Sequence, residues 1–127
     1  MKADLIEIVK QQQESTQRDI DKFKKKLAEN YTFNFEWGYA GSLYQAQLEY
    51  NILSGFLGFI TEQPERTEEW LTHNIERISK SILEGGFVGT STSVYSNLAH
   101  TYKKEVDCKL LQIYKAWLKY ITEPVRN

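Results

Sequence analysis

Only three breaks interrupt the apolar periodicity of this chain: Gly38–Gly41, Pro64 and Gly85–Gly89. Between them apolar residues recur at steps of three and four, the repeat of one face of an α-helix. Four amphipathic segments joined at three points close most simply by packing their apolar faces together. The chain of 127 residues fits one domain. With 41% hydrophobic and 26% charged residues it has the composition to bury a core without covalent staples. The expected fold is therefore all-α, a single helical domain over 1–127: a four-helix bundle with two long outer helices, the first and the fourth, and two shorter central ones.

The first helix is predicted from about Ala3 to Asn30. Ile6, Ile20 and Leu27 hold one seam position and Val9 and Phe23 the other, with Gln13 and Thr16 as polar interruptions. Such interruptions weaken a helix seam while fixing its register. Lys22, Lys24, Lys25 and Lys26 alternate with Asp19, Asp21 and Glu29, the pattern of a solvated helix back rather than a nucleic-acid surface. After this helix, Tyr31, Phe33, Phe35 and Trp37 alternate with polar residues at the period of a strand. No second alternating run exists to pair with it, so a short extended aromatic connector across the bundle end is expected, its rings either core or an exposed anchor.

The second helix is predicted over about Ser42–Ile60, with Gly41 permitting the turn and Ser42 capping. Its apolar residues wrap most of the circumference, so a central or oligomer-covered position is expected. Gly55 and Gly58 each cost a helix roughly 1 kcal/mol relative to Ala, which a closely crossing neighbour would explain. The third helix starts near Pro64, carries Leu71, Ile75, Ile78 and Ile82 as its stripe, and ends at Gly85-Gly86. The fourth follows the Thr/Ser stretch ending at Ser93 and runs to Thr122, with Leu98, Tyr102, Val106, Leu110, Ile113, Trp117 and Ile121 as its stripe.

Net charge is −1, which offers no general nucleic-acid surface. Its distribution is uneven. Residues 61–84 hold three basic and six acidic side chains (3 − 6 = −3), and residues 85–127 six and three (6 − 3 = +3). A single cysteine, Cys108, excludes an internal disulfide and a cysteine-based zinc site. The apolar stretch Ile52–Ile60 is about half the length a bilayer span needs, and the N-terminus lacks a secretory pattern. A cytoplasmic location without membrane contact is expected.

Catalytic chemistry finds little support in the residues. Arg66 and His73 resemble the Arg and His pair of helical HEPN ribonucleases, although Thr67 stands where that motif has Asn, Asp or His. The same His73 lies one turn from both Glu69 and Arg77, the setting of a surface ion-paired histidine. His100, in Leu98-Ala-His-Thr-Tyr102, is expected half-buried beside the core. Glu69 to His73 is one residue longer than the Glu-x-x-His spacing of bundle metal sites, and it has no second copy. Neither catalytic residues, metal nor cofactor are expected. The loop Gly85–Ser93 joins glycines to hydroxyls ahead of a helix but lacks the lysine of a P-loop; an anion or nucleotide there is the ligand-binding alternative.

The leading expectation is an interaction protein that neutralises one specific partner. Small immunity proteins, antitoxins and phage-encoded inhibitors share its size and helical character. The expected contacts are Glu62, Glu65, Glu68, Glu69 and Trp70, with the connector aromatics Phe33, Phe35 and Trp37. An acidic surface of this kind suits a basic partner such as a nuclease toxin. The alternatives are the ligand-binding module and a structural subunit, including a homodimer built on the apolar second helix.

Overall fold

The computed structural model describes residues 4–34, 39–84 and 94–123. Four helices form: α1 (Asp4–Asn34), α2 (Tyr39–Glu62), α3 (Thr67–Glu84) and α4 (Val94–Thr122). A single 3-10 turn, Pro64–Arg66, leads directly into α3. There is no strand among the described residues. As the spacing predicts, the first and last helices are the longest, at 31 and 29 residues.

Two boundaries differ from the sequence reading. The backbone of Tyr31–Asn34 is helical, so no extended connector begins at Tyr31. Each residue added to an existing helix gains a backbone bond, whereas a strand without a partner gains none. The side chain of Phe33 and all of Phe35 and Trp37 lie outside the described residues. Helix α2 begins at Tyr39, which makes Gly41 a helical residue and removes Ser42 from the N-cap. Gly41 serves packing instead: a Cβ there would fall 2.5 Å from the Tyr102 hydroxyl on α4.

Side-chain pairings give the helix directions. Gln13 bonds Ser54 and Thr16 bonds Glu49, so α1 and α2 run antiparallel. Gln45 meets Glu105, Glu49 meets Lys109 and Phe56 meets Trp117, so α2 and α4 run parallel. Ile82 shares a groove with Lys103 while Trp70 meets Tyr114, so α3 and α4 run antiparallel. The molecule is thus two helical hairpins, α1 with α2 and α3 with α4, joined through α2 and α4. Helix α4 is last in the chain but inner in space.

The core draws on all four helices: Leu5 and Val9, Leu53, Phe56 and Ile60, Leu71 and Ile78, and Val106, Leu110, Leu111, Tyr114 and Trp117. Its centre is aromatic. Phe56 stacks on Trp117 at 5.6 Å and 10°, and meets Trp70 at 4.4 Å. Trp70 sits edge-on to Tyr114 at 5.3 Å. Leu5, Leu111 and Tyr114 escape the sequence stripes because a wide buried face takes residues beside the main three-and-four ridge.

Gly55 and Gly58 do not mark a helix crossing. A Cβ at either would meet nothing within 4 Å. Gly55→Ala and Gly58→Ala should therefore each stabilise the fold by up to about 1 kcal/mol, measured by urea unfolding; a loss of stability at either site would show that the face is covered.

Tyr114 is fully buried, and its hydroxyl donates no hydrogen bond among the described residues. Burial raises its phenol above the ordinary value. The neutral form is thus favoured in the folded chain, so its contribution is present below pH about 10 and is lost as pH rises above that. Tyr114→Phe should be neutral to slightly stabilising at pH 7 and should slow the loss of stability between about pH 10 and 12. Unfolding midpoints across that pH range check both expectations.

Candidate functional site

The expected acidic contacts divide once the chain is folded. Glu62 ends α2, Glu65 lies in the 3-10 turn, and Glu68 and Glu69 open α3. All four side chains are exposed, and Glu76 extends the same acidic surface along α3 with Thr72 and His73 between. Trp70 turns the other way and is half-buried in the aromatic core, so it is not free to act as an outward anchor. Phe33, Phe35 and Trp37 cannot be joined to this surface from the described residues.

Local forces account for part of the pattern. Glu68 and Glu69 occupy the first turn of α3, where the helix dipole favours negative charge. Glu69 is also held by Arg66, with Nε to Oε2 at 3.2 Å, and this hydrogen bond lowers its carboxyl pKa while raising that of the guanidinium. Arg66 leans over the Phe59 ring and bonds Gln63 as well. Glu62 has no such account: it sits in the last turn of α2, where negative charge opposes the dipole. Glu62, Glu65, Glu68 and Glu76 form no ion pair among the described residues.

The histidines do not assemble a reaction centre. His73 is exposed, and its expected partner Glu69 is engaged by Arg66 instead. His100 is exposed rather than half-buried and lines an open groove between α3 and α4 with Ile82, Lys103 and Asp107. Among the described residues no three His, Cys, Asp or Glu side chains gather as a metal site. Cys108 is a free, half-buried thiol. No helix among the described residues is long and apolar enough to cross a membrane. The Gly85–Ser93 loop lies outside the described residues.

A second polar feature was missed by the sequence stripes. Thr16 on α1 and Glu49 on α2 are both buried, and the one Thr16 hydroxyl proton can be donated to the Glu49 carboxylate or to the Gln12 carbonyl, 3.0 Å from Oγ1. From α4, Lys109 Nζ reaches Glu49 Oε1 at 2.7 Å. One turn along, Gln45 donates to Glu105. Gln45, Glu49, Glu105 and Lys109 line a cleft of about 220 Å³ between α1, α2 and α4, completed by Asp19, Phe23, Ser42, Ala46 and Val106. A signal for it does exist in the chain: Glu49 is the one charged residue between positions 37 and 60.

The chain matches no protein-family model, no curated protein and no solved structure.

Proposed function

We propose that the protein acts by binding one specific protein partner through the acidic surface of Glu62, Glu65, Glu68, Glu69 and Glu76, as an immunity-protein or antitoxin-type inhibitor does. One observation carries this reading: four of those carboxylates are exposed and form no ion pair among the described residues, and the helix dipole accounts for Glu65 and Glu68 but not for Glu62 or Glu76. Charges that do nothing for their own helices remain free to steer an oppositely charged partner.

The partner's matching surface is then basic, as at the substrate groove of a nuclease. Binding is expected to act by occlusion, with no chemistry on the inhibitor's side. Because Trp70 is committed to the core, apolar anchoring has to come from elsewhere, and electrostatic attraction carries most of the association rate. The double variant Glu65→Lys with Glu68→Lys should keep the wild-type fold and slow association with the partner at least tenfold. That loss should shrink as salt is raised. An unchanged rate at low salt would remove α3 from the interface.

A further inference from the structure

We propose that the cleft between α1, α2 and α4 is a binding site for a linear aliphatic diamine, with Glu49 as its floor and Lys109 as a displaceable plug. The burial of the ion pair is lopsided. The Glu49 side chain is 4% exposed and that of Lys109 is 53% exposed. A lysine readily lays its stem on apolar surface with its head near water; here it reaches in from the rim to a buried carboxylate and leaves open space beside it.

The placement is also costly for a purely structural group. A carboxylate taken out of water is stabilising only with near-complete compensation, and an apolar side chain of similar volume usually does as well or better. The sequence is otherwise uncharged from 37 to 60, so Glu49 is an exception within its own segment. Its second oxygen takes the Thr16 hydroxyl, which fixes the carboxylate with its first oxygen toward the ammonium of Lys109.

The rest of the lining selects the ligand. Phe23, Ala46 and Val106 provide an apolar wall for an alkyl chain. Asp19, half-buried and without an ion pair among the described residues, and Glu105 supply negative charge apart from Glu49. Against the single Lys109 the lining is net −2 (1 − 3), so a cation is favoured and an anion repelled. The Gln45–Glu105 pair lies four residues from the Glu49–Lys109 pair on both helices. That is a separation of about 6 Å along the axis, the span of a diamine with a chain of about four carbons. One ammonium replaces that of Lys109 on Glu49, and the other meets Glu105 and Asp19. This inference is independent of the acidic surface on α3.

Calorimetric titration with 1,4-diaminobutane at low salt tests it. Saturable binding at one site is expected, weakened at least tenfold by Glu49→Gln and several-fold by Asp19→Asn, which lies nearer the rim and spares the buried pair. Lys109→Met should bind the diamine more tightly than wild type, because the plug is gone, and the ligand should recover thermal stability lost in that variant. Glu65→Lys with Glu68→Lys should leave the titration unchanged. No binding to wild type or to Lys109→Met at 10 mM diamine, a tighter hold that fails to appear in Lys109→Met, or equal binding by folded Asp19→Asn and Glu49→Gln would each overturn the proposal.

Discussion

Replacing Phe56 with alanine is expected to remove about 3–5 kcal/mol of folding stability, the range for deleting a buried aromatic ring. Phe56 is the side chain through which the two hairpins meet: it stacks on Trp117 of α4 and contacts Trp70 of α3 and Tyr114. Truncation removes the ring's apolar burial, and a rigid aromatic surround relaxes only partly into the space left. For a domain whose total stability is of order 5–15 kcal/mol, that is a large fraction. Urea unfolding followed by tryptophan fluorescence measures it directly, since two of the three tryptophans border the site. A loss under about 1 kcal/mol would show that α2 and α4 do not meet through this ring.

The second large effect is an asymmetry across the Glu49–Lys109 pair. Lys109→Met strands a carboxylate that is nearly fully buried, with only Thr16 left to compensate it. Breaking a buried pair in this way costs about 3–5 kcal/mol when both groups are enclosed. Access of water from the cleft side reduces the expected loss here to roughly 2–3 kcal/mol. Glu49→Leu is different. The lysine, already half-exposed, returns to water, and the Thr16 hydroxyl turns to the Gln12 carbonyl, already 3.0 Å away. The leucine variant should stay within about 1 kcal/mol of wild type and gain from an added Thr16→Val. Equal losses from the two single replacements would mean that the pair is held symmetrically.

Much of the helical layout was legible because one rule, apolar spacing at three and four, is local. Leu71 and Ile78 on α3, and Val106, Leu110 and Trp117 on α4, fall on the buried faces that spacing predicts. What spacing does not encode is which helix lies opposite. Gly41 reads as a turn residue, yet its reason is the Tyr102 ring of a helix sixty residues away. Gly55 and Gly58 read as a crossing point and face open space.

The polar cleft shows the same limit. Thr16 looks like a flaw in the α1 seam, and only the meeting of three helices turns it into the partner of Glu49. At the α3 surface, the exposed glutamates were readable from local charge, whereas the inward turn of Trp70 depends on Phe56 being across from it. Over Tyr31–Asn34 the alternation misled, because side-chain period two has no force without a neighbouring strand.

The most direct test of the central claim is a quantitative pull-down from the native host, with wild-type protein and the Glu65→Lys, Glu68→Lys variant compared side by side. The account predicts one stoichiometric protein with a basic surface on the wild-type bait, depleted at least tenfold on the folded variant and released by salt. A stoichiometric partner retained equally by both baits, or none on either, would contradict it.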